Sequence, residues 1–491
     1  MKDKRNLFLN ESFLVFSILF GIFIGFLLLI WYVSDPVRAG RFDRYILYGI
    51  DDILRYASIR DSLNDVFIFF TPYLKFLYAL IANLFFYAIP LGMSSLRIMN
   101  SLFSVGSLFL LYRLTKLLGF EKRLGILAVF ITVIFPIYFL LSISTHAEPM
   151  FTFFLLASLY FLCQQRYGAF SFLIALMPLL RLEGLLYVEL AAFILLFKKP
   201  KVKYFLMLIL PALLWLVLNR LFWKMGFLEV LGYNLGYLPR PPQDSIIFLS
   251  QVNFMYYIGF YPMLFLSLVG IARKIFDKKY FFILAYMSVQ LIFMVFVYAI
   301  DYYITGGLHR EFRHLMPVIP LLAIFEAVAI EWMLKKFAKN KTVTLGISGL
   351  IFAVLCVFSS LQFKQFQKDP ELIGDGFSYE QDRKLRLAAS WLKEYLKDKD
   401  IKNIYTEGTW MMFAPIRKLW VYLPADIKLY CLYTRTGEVL DVLSWRILSG
   451  QSIKGLLVAM LPETKEPSVQ PYHQKLIQAF ADIPLYFYAL D

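Results

Sequence analysis

The sequence predicts a polytopic α-helical membrane protein with a small α/β domain at its C-terminal end. Of the 491 residues, 60% are hydrophobic and only 17% are charged, whereas about a quarter of the residues in soluble domains are charged. Apolar runs of roughly 20 residues recur along the chain, the length that an α-helix needs to cross the hydrocarbon core of a bilayer. After about residue 370 these runs stop, and shorter strand-like and helix-like patterns alternate with charged residues.

The net charge of +15 follows from the basic tracts between the apolar runs. Lysines and arginines gather near residues 2–5, 113–123, 198–203, 273–279 and 335–341. Tracts of this kind stay on the cytoplasmic side of a membrane. We therefore expect a multi-pass protein of the cell (plasma) membrane, surrounded by membrane lipids, with a cytoplasmic N-terminus and no nucleic-acid partner.

Placing those tracts in the cytoplasm orders about 11 transmembrane helices. The first is expected at 13–33 and leads into an outer loop over 34–94. Within that loop, the apolar stretch 66–91 is expected to form juxtamembrane helices or a re-entrant hairpin, because a full span there would invert every later loop. The other helices are expected at 95–113, 124–141, 149–165, as two short helices within 169–197, and at 202–222, 249–270, 280–300, 312–334 and 343–362.

The transmembrane domain accordingly covers residues 1–365, and the α/β domain covers residues 370–491. The same topology places the α/β domain on the extracytoplasmic side. Helices are expected there at 379–396, 437–448 and 472–480, and strands at 403–406, 419–423, 455–460 and 485–489.

The first outer loop is rich in aspartate. Residues 34–71 contain Asp35, Asp43, Asp51, Asp52, Asp61 and Asp65, together with arginines but no lysine or glutamate. An ionised aspartate can act as a general base and take the proton of an attacking hydroxyl. Asp43, Asp51 and Asp52 are the candidates for such a role, whereas the other three aspartates are typical of helix caps or solvated loops.

Three further polar groups fall on the same predicted side of the membrane. They are His146 with Glu148, Arg181 with Glu183, and Arg310 with Arg313 and His314. Placing an ionisable residue at membrane depth costs free energy, and such residues are usually functional. Arginine in addition binds phosphate bidentately. Structural alternatives stay open, since Glu148 could cap a helix, Arg181 and Glu183 could lock a turn, and the arginines near 310 could extend to the interface.

Motifs of soluble enzymes are absent from the sequence. It contains no glycine-rich phosphate loop, no HExxH, no paired CxxC and no nucleophile elbow. The three cysteines lie far apart and indicate neither disulfides nor a zinc site. No cofactor is required by these patterns, although Asp43 with Glu148 or His146 could form part of a divalent metal site.

Several short motifs occur in a definite order along the chain. They are Phe42-Asp43-Arg44-Tyr45 after the first helix, the proline-aromatic segment 70–74, the Leu-Arg start of a helix at 96–101, the segment from Phe135-Pro136 to Glu148, the Arg-Leu-Glu-Gly turn at 181–184, and Arg313-His314-Leu315-Met316-Pro317. In this order they resemble the GT-C superfamily of polyprenyl-phosphate-sugar-dependent glycosyltransferases. The most similar branch contains protein O-mannosyltransferases and the lipid A aminoarabinose transferase.

Two positions depart from the family pattern. The family's paired Asp-Glu is here Asp43-Arg44, and the family's lysine before the proline-aromatic segment is here Thr71. Another cation would therefore have to contact the donor phosphate, and Lys75, Arg60 and Arg313 are the candidates.

The resemblance implies a GT-C-like bundle that transfers a sugar from a polyprenyl-phosphate donor to an acceptor hydroxyl. The acceptor would be a glycan, a lipid or a protein on the extracytoplasmic face, and the anomeric configuration would invert. Asp43 would be the catalytic base. The expected substrate-binding residues are Asp51, Asp52, Lys75, His146, Glu148, Arg181, Glu183, Arg310, Arg313 and His314.

Three other functions remain compatible with the sequence. A lipid-linked oligosaccharide ligase or polymerase would use similar charges with a longer acceptor groove. A transporter or flippase would be expected to show inverted repeats and broken helices, and the sequence indicates neither. A non-catalytic assembly subunit would keep the fold without the chemistry.

Overall fold

The computed structural model contains two compact units, residues 1–47 with 62–374 and residues 48–61 with 375–491. The structure describes residues 2–34, 56, 59, 76–181, 183–198, 201–223, 260–305, 312–337, 341–368, 388, 390–397, 399, 403–407, 428–431, 455–460, 474–480 and 485–490.

The first unit begins with a long helix, and further along the chain two short helices meet at a sharp bend. The first five helices among its described residues are α1 (Lys2–Ser34), α2 (Phe76–Ala88), α3 (Met93–Leu117), α4 (Lys122–Ile134) and α5 (Pro136–Ser142). The sequence predicted one continuous helix over 124–141, and that prediction is wrong. The chain bends by 75° between α4 and α5, because Pro136 lacks the N–H that would continue the helix and instead starts the next one.

The middle of the first unit confirms the two short helices expected within 169–197. The helices here are α6 (Glu148–Cys163), α7 (Tyr167–Leu176), α8 (Gly184–Lys198) and α9 (Lys203–Trp223). A 3-10 turn, Met177–Leu179, follows α7. The segment that carries Arg181 therefore interrupts the apolar run, as the cost of a charge within a continuous span suggested.

The last part of the first unit contains α10 (Phe260–Lys274), α11 (Phe281–Thr305), α12 (Ile319–Phe337) and α13 (Lys341–Lys368). The predicted start of the eighth helix at 249 lies outside the described residues. The predicted helix 312–334 starts differently, with a 3-10 turn at Phe312–Leu315 before α12. Pro317 explains the interruption, since proline lacks an N–H and disfavours α-helical geometry in the preceding residue.

Two described helices are long and apolar enough to cross a membrane, Phe13–Tyr32 and Met93–Leu117, and the bent pair α4–α5 makes a third if it is one span. The 13 residues of α2 correspond to roughly 20 Å of helix. This is shorter than the hydrocarbon core of about 30 Å. Residues 66–75 lie outside the described residues, so the prediction that the stretch 66–91 does not span stays a prediction. The number of about 11 spans stays a prediction.

Small residues allow the helices of the first unit to approach one another closely. A Cβ atom at Gly270 of α10 would overlap the backbone of Phe325 in α12. One turn away, the Ser267 hydroxyl donates to the carbonyl of Leu322 at 3.3 Å. Small and hydroxylated residues at helix interfaces are typical of membrane bundles, and they hold α12, which follows the candidate site, firmly against α10.

The second unit contains a five-stranded mixed sheet. Its strands are β1 (Asn403–Glu407), β2 (Lys428–Cys431), β3 (Gly455–Met460), β4 (Gln474–Phe480) and β5 (Leu485–Leu490). The order across the sheet is β2-β1-β3-β5-β4. Strand β1 pairs in parallel with β2 and β3, whereas β5 pairs antiparallel with β3 and β4.

The predicted helix at 472–480 is wrong, because this segment is strand β4. Its apolar residues recur with a spacing that fits either structure, and antiparallel pairing with β5 across a short connection favours the strand. The expected strand 419–423 and helix 437–448 lie outside the described residues. The expected helix at 379–396 is supported by helical residues 390–397, where Leu392 and Leu396 are buried.

Candidate active site

Six ionisable side chains from three parts of the first unit meet in one place, which we call the charge cluster. They are His146 and Glu148 at the start of α6, Arg181 and Glu183 before α8, and Arg313 and His314 in the 3-10 turn before α12. All of them were predicted site residues. The structure brings them together although more than 160 residues separate His146 from Arg313.

Arg181 is the centre of the charge cluster. Its Nη1 donates to Glu148 Oε1 and its Nε donates to Glu183 Oε1. Its Nη2 lies 2.7 Å from Nδ1 of His314. Because a guanidinium can only donate, the histidine must accept at Nδ1, which fixes its tautomer for as long as this contact is made. All three guanidinium nitrogens of Arg181 thus contact side chains of the protein.

Arg313 makes longer contacts within the same cluster. Its Nε is 3.7 Å from Glu148 Oε1, and its Nη1 is 3.4 Å from Nδ1 of His146. The ring of His146 in turn lies 3.8 Å from Glu148 Oε2. Glu148 is therefore shared by both arginines, and the described contacts of Arg313 are looser than those of Arg181.

The charges in the cluster balance while the histidines are neutral, since two arginines face two glutamates. Glu148 is 0% exposed and Arg181 is 8% exposed. Burial by itself lowers the pKa of Arg181, but Glu148 and Glu183 raise that pKa above its ordinary value. Arg181 therefore stays charged, and both carboxylates have a fixed cationic partner.

Glu148 owes its position to the start of α6. The carboxylate belongs to the first turn of the helix, where the helix dipole favours a negative charge. Pro149 follows it in the same turn and suits that position, since proline needs no N–H partner there. Glu148 therefore has both roles: its charge favours the start of α6, and its carboxylate pairs with the arginines of the charge cluster.

The segment before α6 is held by hydrogen bonds from two other helices. Asn100 Nδ2 of α3 donates to the carbonyls of Ser144 at 2.8 Å and His146 at 2.7 Å. The hydroxyl of Tyr78 in α2 donates to the carbonyl of Thr145. Neither side chain was predicted from the sequence, although Asn100 lies in the helix start at 96–101 and interrupts an apolar helix.

The Arg-Leu-Glu-Gly turn is shaped by a close backbone approach. The carbonyl of Met177 accepts the N–H groups of Leu180 and Arg181, each at 3.0 Å. A Cβ atom at Gly184 would overlap the backbone of Met177 and Pro178. Only glycine fits this position without displacement, and the turn therefore presents Arg181 and Glu183 to the cluster in one geometry.

The 3-10 turn before α12 is anchored by α11. Gln290 Nε2 donates to the carbonyl of His314 at 3.1 Å, and the hydroxyl of Tyr187 in α8 donates to Gln290 Oε1 at 3.0 Å. The ring of Phe293 packs edge-on against His314, with centroids 6.2 Å apart. Gln290 and Tyr187 were also missed, since each is one polar group within an apolar run.

Five predicted site residues lie outside the described part of the chain, and their roles stay predictions. They are Asp43, Asp51, Asp52, Lys75 and Arg310. Within the described residues, no group of three or more His, Cys, Asp and Glu side chains is arranged to hold a metal ion.

The chain is similar in structure to ArnT from Cupriavidus metallidurans. It matches the crystal structure of the apo state with a TM-score of 0.57, and the structure bound to undecaprenyl phosphate with a TM-score of 0.58. In both comparisons the identity is 14%, and the match covers 95% of this chain and 97% of that chain. No family model and no curated protein match the sequence. The structural likeness supports the predicted GT-C fold, while the choice of branch stays a prediction.

Proposed function

We propose that this protein is a membrane glycosyltransferase with the GT-C fold that takes a sugar from a polyprenyl-phosphate donor. The observation that carries the proposal is the buried charge cluster, which brings two arginines and two glutamates to one end of α6. It occurs on a fold shared with a protein whose structure has been determined with undecaprenyl phosphate. The acceptor is a hydroxyl of a glycan, lipid or protein on the extracytoplasmic face.

Arg313 is the cluster residue that we assign to the donor phosphate. Arg181 already uses its three guanidinium nitrogens on Glu148, Glu183 and His314, so turning it towards a ligand would break short contacts. The distances from Arg313 to His146 and Glu148, 3.4 and 3.7 Å, are longer than the hydrogen bonds that Arg181 makes. A guanidinium also matches the geometry of phosphate oxygens.

The proposed reaction is a single displacement. The acceptor hydroxyl attacks the anomeric carbon, the bond from that carbon to the phosphate oxygen breaks, and the electron pair leaves on the polyprenyl phosphate. Asp43 takes the proton of the hydroxyl, a role that rests on the family resemblance. Arg313 stabilises the negative charge that grows on the departing phosphate.

A turnover assay with purified protein tests this proposal. Wild-type protein is given a panel of polyprenyl-phosphate-linked sugars together with glycan, lipid and protein acceptors, and the release of sugar from the donor and of free polyprenyl phosphate is measured. Arg313→Gln is expected to raise the KM for the donor roughly tenfold to a hundredfold, which corresponds to losing a charge-assisted hydrogen bond worth about 1.5–3 kcal/mol. Arg123→Gln is the matched control, because Arg123 is exposed and is not part of the cluster.

The same assay separates the proposed function from its rivals. The bend between α4 and α5 is a broken helix, one of the features expected of a transporter. A transporter would move the lipid-linked sugar across vesicle membranes without cleaving it. Movement without sugar release, across the whole donor panel, would contradict the glycosyltransferase proposal.

A further inference from the structure

Each histidine-bearing segment of the charge cluster has its backbone held by a buried carboxamide from a neighbouring helix. We infer that Asn100 and Gln290 are positioning residues, which set the geometry in which Arg313 meets the donor phosphate. This inference rests on the proposed function. Neither side chain touches the charged groups directly, and each acts through the carbonyl of a histidine.

Asn100 bridges two carbonyls of the segment before α6. Its Nδ2 donates to Ser144 and His146 at 2.8 and 2.7 Å, and the side chain is 0% exposed. Because both bonds need hydrogens, the amide nitrogen must face the segment. Two bonds from one rigid group, on either side of Thr145, fix both the position and the tilt of the segment. His146 belongs to this segment and Glu148 follows two residues later, so the segment determines where the imidazole and the carboxylate lie.

Gln290 holds the backbone of the other histidine-bearing segment, which contains Arg313 and His314. Its Nε2 donates to the carbonyl of His314 at 3.1 Å, and the side chain is 1% exposed. The hydroxyl of Tyr187 donates to its Oε1 at 3.0 Å, so the amide is held from both ends. This arrangement fixes the position at which the ring of His314 accepts from Arg181. It also fixes the backbone from which the side chain of the neighbouring Arg313 extends.

The two amides therefore hold opposite sides of one connected network. Arg313 contacts His146, whose carbonyl Asn100 holds, and Arg313 precedes His314, whose carbonyl Gln290 holds. Networks of this kind depend on every member being in place. A misplacement of about 1 Å at a reacting centre can cost roughly a hundredfold in rate, so a loss of either amide should reach the chemistry.

Isosteric apolar substitutions test the inference. Asn100→Leu and Gln290→Met keep the approximate volume of each side chain and remove its hydrogen bonds. Gln362→Met is the matched control, since Gln362 is fully buried in α13 and its amide makes no hydrogen bond to the described part of the chain. Two readouts are taken on the full-length protein, donor turnover and amide hydrogen exchange.

The expected turnover result is a fall in kcat/KM for the donor of roughly a hundredfold in Asn100→Leu and in Gln290→Met, with the control unchanged. Hydrogen exchange is expected to rise in the peptide around 143–147 for Asn100→Leu, and around 312–316 for Gln290→Met. A local rise of this kind marks the release of a held segment, whereas a general loss of packing would raise exchange in all helices.

The inference is overturned if exchange does not rise locally, or if it rises while kcat/KM stays at the wild-type value. Failure of the proposed function looks different, because wild type would then release no sugar from any donor. In that case the positioning of Arg313 for a donor phosphate falls with the function, and the exchange rates decide only whether each amide holds its segment.

Discussion

Replacing Arg181 with methionine is expected to destabilise the helical unit by about 3–5 kcal/mol, the usual effect of removing one partner of a buried ion pair. Glu148 and Glu183 both bind Arg181 and are 0% and 3% exposed. Without the guanidinium, two buried carboxylates would lose the cation that they share, and the contact of Glu148 with Arg313 is longer, at 3.7 Å. Thermal unfolding in detergent measures the change, and Arg123→Met at an exposed position is the control.

A second substitution tests the cause of that loss. Glu148→Gln in the Arg181→Met background removes one of the carboxylates that the first change left without its main partner. We expect the double variant to regain part of the lost stability, so that the two effects are strongly non-additive. If Arg181→Met unfolds at the same temperature as Arg123→Met, the buried ion network is not what holds the turn before α8.

Replacing Asp43 with asparagine is expected to lower kcat for sugar transfer by roughly a hundredfold to ten-thousandfold, the range typical for loss of a general base. The substitution keeps the shape of the side chain and removes its ability to take a proton from the acceptor hydroxyl. The KM for the donor should change little, because the phosphate is assigned to Arg313. Turnover with a saturating donor measures the effect.

Asp61→Asn and Asp65→Asn are the controls, since both aspartates belong to the same loop and were interpreted as caps or solvated residues. Equal sugar release by wild type and Asp43→Asn would remove Asp43 from the mechanism. A loss confined to Asp51→Asn or Asp52→Asn would move the base to one of these two residues.

The sequence predicted the meeting of the charged residues for a physical reason. Lysine tracts order the helices in a membrane, and that order alone placed His146, Arg181 and Arg313 on one side. Polar side chains at one end of a bundle of membrane helices are confined to a small volume. Because burying an unpaired charge costs free energy, these side chains are expected to pair with opposite charges. Arg181 and Arg313 both do so with Glu148.

The residues that hold the cluster could not be predicted in the same way. Asn100, Tyr187 and Gln290 each interrupt an apolar helix with one polar group, a pattern equally typical of helix packing. Their roles depend on which neighbouring backbone carbonyl they reach, and hydropathy contains no such information. The helix break was overlooked although Pro136 is itself a local signal for it, whereas strand β4 was missed because strand pairing outweighed a local pattern that also fits a helix.

Binding of undecaprenyl phosphate to the purified protein tests the central claim most directly. Undecaprenol, the same lipid without the phosphate, is the control ligand, and ligand-induced thermal stabilisation is the readout. The phosphorylated lipid is expected to stabilise wild type saturably while undecaprenol does not. Arg313→Gln should need roughly tenfold to a hundredfold more lipid. Equal stabilisation by both lipids, or equal binding by wild type and Arg313→Gln, would contradict the claim that the charge cluster receives the donor phosphate.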